Sequence, residues 1–99
     1  MMTTKMIYRR RLLAETKLIN SELKGNRIGY WEVYYNNGNL NYKGNYNNDG
    51  QQIGYWEYYY SNGNLNSKGN YDNCGKIIGC WEEYYSNGSL YEITYFKNK

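Results

Sequence analysis

Histidine and proline are absent from these 99 residues, cysteine occurs twice and phenylalanine once. Without histidine, a Cys/His zinc site and a Cys–His nucleophile pair are both excluded, and neither a metal nor a cofactor is expected. Cys74 and Cys80 are then read as ordinary packing residues rather than redox groups. Without proline, every backbone donor stays available for sheet ladders. No segment approaches the ~20 apolar residues that a spanning helix requires, and MMTTKMIYRRRLL lacks the apolar run of a secretory signal, so a cytoplasmic chain is expected. Aliphatic residues are scarce. The net charge of +3 is small, and the positive charge gathers before residue 28, around Arg9, Arg10 and Arg11. Such a basic end could touch an anionic membrane or a phosphate backbone, or serve as a solvated cap.

Aromatics, by contrast, make up 19% of the chain, and 15 of them are tyrosine. A core made of tyrosine rings is amphipathic, because each hydroxyl wants water or a partner. The rings recur in order. GYWEVYYNNGNL (29–40), GYWEYYYSNGNL (54–65) and GCWEEYYSNGSL (79–90) repeat at a period of 25, with LNYKGNY, LNSKGNY and a drifted LYEITYF following them. A fixed period in this range marks a repeat architecture. The units run 25–49, 50–74 and 75–99, the last with a modified C-terminal strand, and residues 1–24 form a degenerate cap, read as strands over a competing short helix. All of this makes one domain.

Each unit carries Asn-Gly between two aromatic runs, the sequence signal of a type I′ β-hairpin with positive φ at both central residues. With Asn37-Gly38 at the tip, Asn36 faces Asn39, Tyr35 faces Leu40, Val33 faces Tyr42, Trp31 faces Gly44 and Gly29 faces Tyr46. Alternation then puts Trp31, Val33, Tyr35, Leu40, Tyr42 and Tyr46 on a packed face, together with Trp56, Tyr60 and Leu65 and with Trp81, Tyr85 and Leu90. Glu32 lands opposite Lys43 and Glu57 opposite Lys68, favourable cross-strand pairs. The glycines opposite Trp31 and Trp56 are read as room for the ring of the same hairpin. The fold expected is all-β, an elongated antiparallel meander of consecutive hairpins forming a single curved sheet.

The unit G-x-W-x-x-Y-Y-x-N-G-x-L-x-x-x-G-x-Y resembles the MORN repeat, in the variant form found in bacterial proteins described as antitoxin components. The resemblance covers residues 25–96. It implies a protein-interaction or assembly module, in some members a phospholipid-binding one, with any enzymatic activity residing in appended domains. No such appended domain is expected in this chain, and hence no enzyme.

The face without Trp is where recognition is expected. Tyr30, Glu32, Tyr34, Tyr55, Glu57, Tyr59, Glu82, Tyr84, Tyr91 and Tyr95 share it, and tyrosine supplies large contact area at low entropic cost. The three glutamates should lie about 10 Å apart, two strand spacings. That is too far for a retaining glycosidase pair, so structural pairing is favoured over catalysis. Stacked rings with nearby lysines could hold single-stranded nucleic acid, but the glutamate row would repel phosphate. The function expected is a non-enzymatic module that binds, and neutralises or inhibits, another protein. That description covers an antitoxin-like neutraliser or an inhibitor encoded by a virus or mobile element. The alternative is a membrane-surface or assembly scaffold on anionic lipid. Self-association through edge strands fits either reading.

Overall fold

A computed structural model describes the backbone at residues 6–8, 12–13, 17–18 and 20–97, and side chains from residue 20 onward. Ten strands follow one another: β1 (Met6–Tyr8), β2 (Leu12–Leu13), β3 (Lys17–Leu18), β4 (Ser21–Leu23), β5 (Asn26–Tyr35), β6 (Leu40–Tyr46), β7 (Gln52–Tyr59), β8 (Leu65–Tyr71), β9 (Ile77–Tyr84) and β10 (Leu90–Phe96). One open antiparallel sheet runs β1-β5-β6-β7-β8-β9-β10, with β4 sharing the β5 edge with β1, while β2 and β3 pair separately. The described residues before residue 25 form short strands with a bend at Asn20 and a turn at Lys24, and none of them is helical.

Within the hairpins, Gly29–Tyr46, Trp31–Gly44, Glu32–Lys43 and Val33–Tyr42 pair as the sequence predicts. Nearer the tip they do not. Leu40 pairs with Tyr34 rather than Tyr35, because the ladder shifts by one residue after Val33. Tyr35 instead closes the loop with Asn39, its N–H donating to the Asn39 carbonyl at 2.8 Å, and the Gly38 N–H donates to the Tyr35 carbonyl at 3.0 Å. The loop is therefore three residues long, and positive φ is confined to Gly38 (94°). A type I turn followed by one left-handed glycine competes with the two-residue turn for the same Asn-Gly signal. Asn37 Oδ1 favours the longer loop by accepting from the Asn39 N–H at 2.9 Å. Positive φ at two successive residues occurs instead at Lys24-Gly25 (52° and 84°), where β4 turns directly into β5.

Between hairpins the ladder is less regular, and that irregularity builds the core. From the pair Lys43–Glu57 to the pair Asn45–Ile53, β6 advances through Gly44 alone while β7 passes through Trp56, Tyr55 and Gly54. The bulged strand throws the Trp56 ring across its neighbour, and its indole N–H donates to the Asn45 carbonyl at 3.1 Å. A Cβ on Gly44 would fall inside that ring, and one on Gly69 inside the ring of Trp81. The glycine opposite each Trp thus makes room for the Trp of the following hairpin, not for its own partner as the sequence suggests. Position 94 confirms the logic: Thr94 sits opposite Trp81, and no later Trp crosses it. Gly44→Ala should cost about 1–3 kcal/mol through overpacking. Thr94→Gly should shift stability by no more than about 1 kcal/mol, the span of strand propensity. Urea midpoints compare the two, and equal effects would show that Gly44 does not serve the neighbouring ring.

The crossing rings form a continuous aromatic spine. Tyr46 meets Trp31 and Trp56 edge-on at 6.2 and 5.0 Å, and Tyr71 meets Trp56 and Trp81 likewise at 6.1 and 5.3 Å. Trp31, Val33, Trp56 and Trp81 are the buried apolar residues among those described, so the core there is a line of rings along one sheet face. Tyr35, Leu40, Tyr60 and Leu65 are half-buried. Tyr85 and Leu90, grouped with the core by their repeat positions, are about half exposed (52% and 50%). The reason is that Tyr35 and Tyr60 each donate to a carbonyl of the next hairpin, Tyr59 and Tyr84. No following hairpin covers Tyr85 among the described residues.

Candidate functional site

Strand alternation brings the predicted recognition residues of β5, β7 and β9 onto the face opposite the spine. Register lays a charged row across it: Glu32, Lys43, Glu57, Lys68, Glu82 and, on β10, Ile93. Each lysine thus lies between two glutamates rather than beside one. The ion pairs at 3.4 Å (Lys43–Glu57) and 3.6 Å (Lys68–Glu82) join neighbouring hairpins. Exposed pairs of this kind contribute at most about 1 kcal/mol each, so the row chiefly sets how successive hairpins align.

Tyrosines two residues away on either side flank Glu32 and Glu57. Tyr30 donates to Glu32 Oε2 at 2.9 Å and Tyr34 to Oε1. Tyr55 donates to Glu57 Oε2 at 2.8 Å and Tyr59 to Oε1 at 2.5 Å. In the third hairpin Tyr84 donates to Glu82, while the other flank is Cys80, which is exposed. Two phenols on Glu32, two on Glu57 and one on Glu82 fix these rings in place, so their hydroxyls are already committed. Tyr55 remains 46% exposed and Tyr95 67%.

The titration behaviour follows from these contacts. Burial and the hydrogen bond to Glu57 push the Tyr59 phenol up to about 12, and Tyr30 and Tyr55 are raised for the same two reasons with their own glutamates. Burial alone would raise Glu57, but the hydrogen bonds from Tyr59 and Tyr55, together with Lys43, outweigh it and hold the carboxyl below its usual range. Glu57 therefore adds stability above its unfolded pKa, and that stability disappears as pH falls through the lower folded value. The phenols act at the other end: their contribution is complete below about pH 10 and is lost as pH rises toward 12. Glu57→Gln should flatten the acid limb of a plot of urea midpoint against pH. An unchanged limb would show that the tyrosine clamp does not hold the carboxylate.

The remaining predicted site residues lie at the end of this stripe or outside the described residues. Tyr91 and Tyr95 lie on the terminal strand, with Tyr95 paired to Cys80 and Tyr91 packed edge-on against Tyr85 at 5.1 Å. Arg9, Arg10 and Arg11 lie outside the described residues. A group not singled out from the sequence appears on the spine side, where Tyr42, Tyr46, Gln51, Gln52, Tyr58 and Cys74 line an open groove of about 570 Å³. Its hydroxyls are tied down as well: Arg27 donates to Tyr42 at 2.6 Å, Gln52 donates to Tyr58 at 2.7 Å, and Tyr58 and Tyr71 share a hydrogen bond at 2.8 Å. The repeat pattern marked Tyr42 and Tyr46 as packed, and only the openness of a one-layer sheet leaves them lining a groove. No helix is long and apolar enough to cross a membrane, and no cluster of three metal-ligating side chains occurs among the described residues.

A family model described as the MORN repeat variant matches three segments of the chain, residues 27–48, 52–73 and 78–98. No curated protein and no solved structure gives a significant match.

Proposed function

From the chain's membership of the MORN repeat variant family, whose model matches all three hairpins, we propose that it is a non-enzymatic, cytoplasmic protein-binding module that neutralises or inhibits a partner protein, in the manner of an antitoxin. The observation that carries this reading is the tyrosine–glutamate stripe. Its rings are held by hydrogen bonds to Glu32, Glu57 and Glu82 while Tyr55 keeps nearly half its surface in solvent. Rings ordered before binding lose little entropy on docking, which is what a recognition surface needs. The lysines of the same face are committed to carboxylates, which favours a protein surface over a phosphate backbone.

The test is affinity capture from the native host with the wild-type chain and with a Tyr30→Ser/Tyr55→Ser double variant. The expected result is one stoichiometric protein, retained by the first and lost by the second, whose activity falls when the wild-type chain is added. Recovery of nothing above background would sink the proposal. So would equal recovery by both chains.

A further inference from the structure

The two edges of the sheet are unlike. On the first, β4 covers the start of β5 and β1 covers its end, and Asn20 pairs with the backbone of Glu32 between them. On the second, β10 pairs with β9 and with no other strand among the described residues. It is seven residues long, and Tyr91 (56%), Ile93 (53%) and Tyr95 (67%) are exposed along it. Proteins normally shield such an edge with charge, proline or a covering segment. On the face of β10 that continues the charged row, that charge is missing. Where the charged row would continue, β10 carries Ile93, which sits beside Glu82 at the place held by Lys43 and Lys68 in the earlier hairpins.

The spine side of β10 breaks a second rule. Glu92 stands directly opposite Glu83 in the register, an arrangement of like charges that destabilises a sheet. The equivalent pairs in the earlier hairpins are Val33–Tyr42 and Tyr58–Ser67. Neither Glu83 nor Glu92 has an ion-pair partner among the described residues. Glu83 also lines a recess of about 300 Å³ with Tyr60, Tyr84, Tyr85 and Tyr91, and rings around a carboxylate suit a cationic side chain. Glu92 accepts only a long hydrogen bond from Thr94 at 3.4 Å, and a pair of like charges at one edge with no cation beside it among the described residues points to a cation supplied from outside.

We infer that β10 is a strand-addition site for an extended segment of another protein, which places a Lys or Arg beside Glu92 and Glu83 on one face and apolar side chains beside Ile93 and Tyr95 on the other. Main-chain hydrogen bonds along the edge supply affinity, and the alternate side chains supply choice of sequence. A further hairpin of the same repeat is a poor occupant, because its Trp would have to cross position 94, where Thr94 stands in place of glycine. The inference does not depend on Tyr30 and Tyr55, which lie on β5 and β7.

The probe is a blocked seven-residue peptide alternating Val and Thr with Lys at its centre, compared with the same peptide carrying Glu there. Binding is read by the chemical shifts of the β10 amides in the full chain. The Lys peptide should bind at least about tenfold more tightly than the Glu peptide, a difference of about 1.4 kcal/mol. Glu92→Lys should reverse that preference, and Ile93→Lys should weaken both peptides while leaving the circular dichroism spectrum unchanged. Equal binding of the two peptides, or binding of neither, would overturn the inference. Sedimentation as a dimer that Ile93→Lys dissolves would also overturn it, since the edge would then serve a second copy.

Discussion

Trp56→Ala should cost about 3–5 kcal/mol, the range for removing a large ring from a packed site. Against a total stability of about 5–15 kcal/mol for a domain of this kind, that is a large share. The ring is fully buried. Tyr42 and Tyr58 stack on it at 5.8 and 5.9 Å, Tyr46 and Tyr71 meet it edge-on, and its indole N–H bonds the Asn45 carbonyl. It is the middle Trp of the spine, so its loss uncouples the first hairpin from the third. Trp81 is 8% exposed and is the last Trp of the spine among the described residues. Trp81→Ala should accordingly cost less, because stability in a repeat array is close to a sum over nearest-neighbour interfaces. Urea unfolding followed by circular dichroism orders the two. A cost below about 1 kcal/mol for Trp56→Ala, or a larger cost for Trp81→Ala, would contradict the spine as the source of stability.

The second large effect falls outside the repeats. Asn20 is completely buried, with a left-handed φ of 58°. Its side-chain amide donates to the Glu32 carbonyl at 3.0 Å, and its Oδ1 accepts from the Glu32 N–H at 2.8 Å. The side chain thus supplies the pairing that a strand would, at the gap between β4 and β1. Asn20→Ala leaves one buried donor and one buried acceptor unpaired, at about 1–3 kcal/mol each. The nearby Trp31 indole, which donates to the Ser21 carbonyl at 2.9 Å, should lose order at the same time. Asn37 makes a comparable bond to the Ser61 carbonyl, but on the exposed loop surface. Asn37→Ala should therefore cost less than about 1 kcal/mol, because water replaces the partner. Similar costs for both substitutions would show that Asn20 does not close the sheet edge.

Much of this architecture is legible in the sequence. The 25-residue period, the Asn-Gly tips and the Trp–Gly alternation define an open array of antiparallel hairpins and the pairing of Val33 with Tyr42, Trp31 with Gly44 and Glu32 with Lys43. Side chains alternate with period two, and one hydrophobic pattern satisfies one register. The same period misled at the third repeat. It grouped Tyr85 and Leu90 with the core, although burial of those positions is supplied by a neighbouring hairpin and not by the hairpin that contains them.

The tyrosine stripe was legible too, as the face without Trp, but its tyrosine–glutamate hydrogen bonds required the two-residue spacing to be realised on a pleated strand. Local pattern carries no information about how hairpins join. The three-for-one bulge that sends Trp56 over Gly44, the side chain of Asn20 standing in for a strand, and the opposition of Glu83 to Glu92 all arise from contacts across strands. Residues at most repeat positions share their chemistry, with departures such as Cys80, Ile93 and Thr94 in the third repeat, so the shared positions define the unit. What each one touches depends on whether another unit lies beside it, and for that reason the two edges of the sheet, one closed by Asn20 and the other open along β10, emerge only when the hairpins are assembled.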